Sequence, residues 1–152
     1  MKNSVFTLSQ GTTPLLLSLP HVGTTTPEAL RSDYVDRALQ VEDTDWHLET
    51  LYAFAVKLGA SVLVPQISRY VIDLNRPPDD APMYPGASNT ELCPTRFFSG
   101  ESLYSEGKAP DANEVNRRRA TYWQPYHDAL AAELARVRGV FGFALLWDGH
   151  SI

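Results

Sequence analysis

Cysteine is nearly absent from this chain: Cys93 stands alone in 152 residues. A single thiol excludes an internal disulfide framework, and a reducing cytoplasm is the expected setting. Cys93 lies beside Pro94 in no nucleophile pattern, so it reads as an inert thiol. Long apolar runs are also missing; none approaches the roughly 20 residues that span a bilayer. The opening Met1-Lys2-Asn3-Ser4-Val5-Phe6 lacks the apolar core of a signal peptide. Basic excess is absent too. The net charge is −5 and the pI about 5.3, which argues against nucleic acid and membrane surfaces as partners. What remains, 43% hydrophobic and 20% charged residues over the length of one domain, describes a soluble globular unit with a proper core.

Short apolar runs at 15–19, 61–64, 69–74 and 143–147 have the character of buried strands. Between the first two, residues 45–58 predict a helix with Leu48, Leu51, Tyr52, Ala55 and Leu58 on one face, ended by Gly59. Strand, helix, strand is a βαβ unit with a right-handed crossover. A second helical stretch covers 112–138, with Val115, Tyr122, Tyr126, Leu130, Leu134 and Val137 as its stripe. Asp111 and Glu114 form a capping-box pattern, and Pro125 predicts a kink or two abutting helices. Gly139 is expected to release the chain into the last strand. From 76 to 111 periodicity disappears among Pro77, Pro78, Pro82, Pro85, Pro94 and Pro110, as in loops that act as lids or binding segments. The predicted class is α/β.

The stretch Leu15-Leu16-Leu17-Ser18-Leu19-Pro20-His21-Val22-Gly23 runs a strand into a histidine, and Phe143-Ala144-Leu145-Leu146-Trp147-Asp148-Gly149-His150-Ser151 repeats the device. Open α/β sheets bind ligands at the carboxyl ends of their strands. A lone histidine there is more often structural; two, with acids nearby, begin to describe a metallohydrolase. The acids of Glu42-Asp43-Thr44-Asp45-Trp46-His47 open the first helix. Helix capping explains Asp43 fully and Asp45 less well, while His47 reads first as a solvent-facing residue. Asp148 shares a strand face with His150, and a carboxylate so placed fixes the tautomer of a metal histidine; a loop cap beside an exposed histidine is the competing account. Arg69 and Asp73 fall on one face of the third run, where buried charge is costly, so they either pair or face a ligand. Arg76 suits a bidentate contact to a carboxylate.

Taken together, these stretches resemble the N-formylglutamate amidohydrolase family from about Pro14 to the last residue. The likeness rests on Ser18-Leu19-Pro20-His21-Val22-Gly23, on Asp43-Thr44-Asp45-Trp46-His47 and on Ser68-Arg69-Tyr70-Val71-Ile72-Asp73-Leu74-Asn75-Arg76-Pro77-Pro78-Asp79-Asp80. Tyr122-Trp123-Gln124-Pro125-Tyr126-His127 and Leu146-Trp147-Asp148-Gly149-His150-Ser151 complete it. The resemblance implies a three-layer α/β/α sandwich with a mixed, largely parallel sheet, similar to the zinc carboxypeptidases. It implies a zinc ion, or another divalent metal, held by His21, His150 and an acid of the Asp43–Asp45 cluster. Asp45 is preferred because counting from it best aligns the apolar face of the helix.

Asn75 and Arg76, assisted by Arg69, are then expected to hold the carboxylates of a small acidic substrate, and Asp148 and His127 to serve catalysis, with helix packing an equal account of His127. The implied reaction is hydrolysis of N-formyl-L-glutamate to formate and L-glutamate, in histidine degradation. A related amidohydrolase of other acyl specificity, or an inactive metal-binding fragment, is the alternative. Family members are longer, and none of Glu28, Glu42, Glu49, Glu91, Glu101, Glu106, Glu114 or Glu133 is set to act as the expected glutamate base. Residues 1–152 are therefore expected to be a single hydrolase domain truncated at its C-terminus, with an exposed sheet edge. Oligomeric state stays open.

Overall fold

Leu16 and Leu17 are neighbours in sequence and both almost fully buried, yet they belong to different cores. Side chains alternate across a strand, so a strand buried on both faces needs a layer on each side. The computed structural model, which describes residues 5–82 and 89–151, has that arrangement. In chain order the elements are β1 (Phe6–Ser9), β2 (Leu15–Ser18), α1 (Glu28–Arg31), α2 (Leu48–Leu51), α3 (Ala53–Lys57), β3 (Ser61–Pro65), α4 (Ala112–Arg118), α5 (Gln124–Phe141) and β4 (Leu145–Asp148). Leu16 packs with Leu63, Phe6, Leu8 and Tyr126 of α5. Leu17 packs with Leu48 of α2 and Ala55 of α3 on the other face.

The sheet order is β1-β3-β2-β4, with β2 parallel to both β3 and β4 and β1 antiparallel at the edge. This is the expected mixed α/β sheet, with helices on both faces. Register places Ser18 beside Leu63 on one side and beside Asp148 on the other. Parallel pairing therefore brings the carboxyl ends of β2 and β4 to one edge, and the residues that follow each strand emerge together.

Several local expectations need correction. Residues 69–74 are no strand. Val71, Ile72 and Leu74 are buried, but the segment turns, and its backbone groups are met one by one. The Val71 carbonyl accepts from Arg118 Nη1 at 3.1 Å, the Tyr70 carbonyl from the Tyr34 hydroxyl at 2.9 Å, and Asp73 N–H donates to the Leu92 carbonyl at 2.7 Å. A buried apolar run predicts burial, not a ladder. The strand that completes the sheet is β1, whose aromatic and β-branched residues carried the signal.

The first helix begins later than expected and divides at Tyr52. As a result Leu48 and Ala55 are buried while Leu51 and Leu58 are exposed. Gly59, at φ +80°, does follow it. The second stretch keeps its expected cap, with Glu114 N–H donating to the Asp111 carboxylate at 2.8 Å. It passes through a wider π-type turn at Arg119–Trp123, and Pro125 sits in the first turn of α5. Gly139 stays inside α5; Gly142, at φ +82°, ends the helix instead.

The β4 edge is apolar and open, with Leu145, Leu146 and Trp147 exposed and Phe54 of α3 beside Trp147. Exposed apolar surface on this scale marks a contact face. Among the described residues no helix is long and apolar enough to cross a membrane.

A third core gathers Tyr34 and Val71 with Phe97, Leu103 and Tyr104 from the later part of the long connection. Arg118, 1% exposed, reaches into it and donates to the Tyr104 hydroxyl at 2.8 Å as well as to Val71. Its Nε donates to Glu114 at 2.7 Å. Hydrogen bonds from Arg117 above all, then from Arg118, hold the Glu114 carboxyl at about 2 against an ordinary 4.5.

Candidate metal centre at the carboxyl edge of the sheet

Just past the ends of β2 and β4, the chain delivers one histidine from each. His21 follows Pro20 in the loop after β2, and Gly23 lets that loop pass close to the neighbouring segment. A Cβ at Gly23 would lie 2.2 Å from the Ile67 carbonyl oxygen, so only glycine fits. Gly149 likewise sits against Leu19, and its N–H donates to the Ser18 carbonyl at 2.8 Å, which seats His150 beyond β4. Asp45 comes from the turn before α2, and its N–H donates to the His21 carbonyl at 3.0 Å.

His21, Asp45 and His150 each present one ligand atom, all within 4.8 Å of one another. Asp45 Oδ2 lies 3.7 Å from His21 Nδ1 and 3.4 Å from His150 Nδ1. Ligand atoms around a tetrahedral zinc ion stand about 3.4 Å apart, given metal–ligand bonds of about 2.1 Å. Both histidines turn Nδ1 toward Asp45. His21 Nε2 is hydrogen-bonded to Asp73 Oδ1 at 2.6 Å, and His150 Nε2 lies 3.5 Å from Asp148 Oδ2. At His21, donation from Nε2–H to the Asp73 carboxylate leaves Nδ1 with its lone pair, the form that binds a metal.

The charge balance fits a dication. Asp45 and Asp73 share one guanidinium, Arg69, whose Nη2 donates to Asp73 Oδ2 at 3.2 Å and whose Nη1 lies 4.0 Å from Asp45, and Asp148 adds a further acid beside His150. The acids around His150 act on it as well: the bond to Asp148 leads in raising its pKa, against desolvation. Burial pushes the Asp73 carboxyl upward, but the His21 hydrogen bond, the charges of His21 and Arg69 and the Asn75 N–H outweigh it and hold the group at about 2. Asp45 is also lowered. Burial is again the largest influence and raises it, and bonds from His21 and from the N–H and hydroxyl of Ser151, at 3.2 and 3.1 Å, overcome it.

The depressed acids set a pH window. A carboxyl whose folded pKa lies below its unfolded value stabilises the fold above the unfolded pKa, and that contribution is lost as pH falls through the folded one. Asp73 and Glu114 start from ordinary values of 3.8 and 4.5 and both reach about 2. Denaturant midpoints are therefore expected to fall between pH 4.5 and 2, and Glu114→Gln to flatten the upper part of that fall. A midpoint independent of pH across the window would contradict both placements.

The other expected residues divide. Asp43 does not join the cluster: its carboxylate accepts from the Phe98 N–H at 3.1 Å and fastens the long loop. His47 is exposed, at φ +66° before α2. Asn75 Nδ2 lies 3.4 Å from His150 Nε2. Arg76 donates to the Thr90 carbonyl at 3.2 Å and to its hydroxyl at 2.7 Å. His127 stacks on Trp123, and its Nε2 bonds the Leu74 carbonyl at 2.9 Å, so the structure sets it behind the Asn75-Arg76 turn rather than among the three ligand atoms. The Cys93 thiol is buried and pushed up to about 11 by that burial, as befits an inert group.

Two contributors escaped the sequence reading. Asp73 as the orienter of His21 was signalled by a buried acid in an apolar run, but its partner lies 52 residues away. Ser151 carried no signal. Of the glutamates, Glu42 and Glu101 pair with Arg37, Glu114 with Arg117 and Glu133 with Arg136.

The sequence profile of the N-formylglutamate amidohydrolase family matches residues 13–152. Two curated relatives, the N-formylglutamate deformylases of Pseudomonas putida and Pseudomonas aeruginosa, are each 50% identical to this chain over 150 residues. The alignment covers 99% of this chain and 56% of each relative, so the chain spans little more than half their length. Among solved structures, the N-formylglutamate amidohydrolase of Ralstonia eutropha matches with a TM-score of 0.82 over 99% of this chain and 59% of its own, at 24% identity. That likeness speaks for the fold. The profile match over nearly the whole chain goes further, and by it this chain belongs to the N-formylglutamate amidohydrolase family.

Proposed function

We propose that the cluster holds a zinc ion, or another divalent cation, through His21 Nδ1, Asp45 and His150 Nδ1, and serves hydrolysis of N-formyl-L-glutamate to formate and L-glutamate. The observation that carries this reading is the pair of imidazoles that both turn Nδ1 to Asp45, with His21 held from behind by Asp73. When bound, such a cation supplies Lewis acidity that polarises a formyl carbonyl and acidifies water. The chain's own residues orient the ligands and hold the substrate. Asp73 holds His21 in the tautomer that leaves Nδ1 free, and Asp148 lies beside His150. Arg76, Asn75 and Arg69 take the carboxylates of the substrate, and His127, through the Leu74 carbonyl, steadies the turn that presents them. An acidic protein needs such local arginines to attract a dianion. The reaction belongs to histidine degradation, as the family resemblance implies.

Release of formate tests the proposal. The zinc-loaded protein is expected to turn over N-formyl-L-glutamate in preference to N-acetyl-L-aspartate and short peptides, and to stop when zinc is chelated. Arg76→Ala is expected to lower kcat/KM by about 10- to 100-fold, the worth of charged hydrogen bonds to a carboxylate. Metal uptake without turnover of any formyl compound would reduce the chain to a metal-binding module. Equal turnover of the acetyl compound would overturn the acyl specificity.

A further inference from the structure

Beside the metal cluster lies a cavity of about 610 Å³, bounded by three arginines, Arg69, Arg76 and Arg96, together with Glu91, Phe97 and Phe98. The first two have tasks already. Arg69 is buried against Asp73 with Phe98 across its guanidinium at 4.7 Å, and so marks the end of the cavity nearest the cluster. Arg76 is braced by Thr90. Arg96 differs. It projects from the loop segment bridged to Ser102, it is exposed, and among the described residues it forms no ion pair or side-chain hydrogen bond. The carboxylate on the same wall does not neutralise it: Glu91 is turned to the Thr95 hydroxyl at 3.0 Å and the Thr95 N–H at 3.4 Å.

A guanidinium bordering a cavity with all its donors unspent suits a second carboxylate, gripped in fork geometry. A dicarboxylate with a short methylene chain between its charges matches this lining, with Phe97 and Phe98 flanking the chain. We propose that Arg96 is a specificity-determining residue that takes the side-chain carboxylate of an N-formyl amino acid, while Arg76 and Asn75 take the carboxylate next to the formamide. The assignment rests on the N-formylglutamate reading above and adds to it the group that selects an acidic side chain.

Calorimetric titration of the zinc-loaded protein with N-formyl-L-glutamate and with N-formyl-L-glutamine, its neutral isostere, tests this directly. The unmodified protein is expected to favour the glutamate compound by about tenfold, the value of one charge-assisted contact. Arg96→Gln is expected to erase that preference by weakening the glutamate compound alone, with thermal stability unchanged. Arg96→Lys should restore part of it. Arg76→Gln, in contrast, should weaken both compounds together. An Arg96→Gln protein that keeps the preference, or that loses both compounds equally, overturns the role of Arg96 and leaves the broader reading standing. An unmodified protein that binds neither compound overturns the broader reading and this assignment with it.

Discussion

Asp73→Ala is expected to destabilise the chain by about 3–5 kcal/mol, the usual result of removing one member of a buried ion pair. Asp73 is fully buried and serves three donors at once: His21 Nε2, Arg69 Nη2 and the Asn75 N–H. Alanine would leave a guanidinium uncompensated beside Asp45 and an imidazole free to adopt either tautomer. A domain stable by about 5–15 kcal/mol would lose a large share of that margin. Metal affinity is expected to fall as well, by about 10- to 100-fold, because the residue that orients a metal histidine is lost. Asp73→Asn separates the effects. The amide oxygen still accepts from His21, so affinity should recover in part, whereas the missing charge leaves Arg69 only its longer contact to Asp45 and most of the stability loss in place. Denaturant unfolding and zinc titration of both variants provide the check. A loss below about 1 kcal/mol for alanine would mean that the pair is solvated in solution.

The parallel sheet and the two histidines were legible because they follow from short-range pattern. An apolar run that stops at Pro20-His21 and another that stops at Asp148-Gly149-His150 announce strand ends, and parallel pairing does the rest. The choice of Asp45 over Asp43 rested on helix phase, and the structure turns Asp43 to the Phe98 N–H instead. What could not be read depended on distant partners. Val71 and Ile72 are as apolar as any strand, but their neighbourhood is fixed by Arg118 arriving from α4, 47 residues later. Leu51 and Leu58 kept helical spacing, yet the break at Tyr52 leaves them on the surface. The Arg69–Asp73 pairing was one of two outcomes anticipated from the cost of burying charge, the other being contact with a ligand, although a turn, not strand alternation, brings the two together.

The larger effect belongs to the metal ligands themselves. A structural zinc ion contributes about 10–16 kcal/mol of apparent binding energy in small peptides, so each of its few ligands carries several kcal/mol, or about 100- to 1,000-fold in affinity. Equilibrium dialysis against zinc, followed by metal analysis of the protein, reads this without relying on turnover. The unmodified chain is expected to retain one zinc per molecule. His21→Ala, Asp45→Ala and His150→Ala are each expected to retain almost none at the same free concentration, while Asp43→Ala, whose carboxylate serves the loop, keeps the full equivalent. Equal zinc in all five proteins, or loss in Asp43→Ala with retention in Asp45→Ala, would contradict the centre described above.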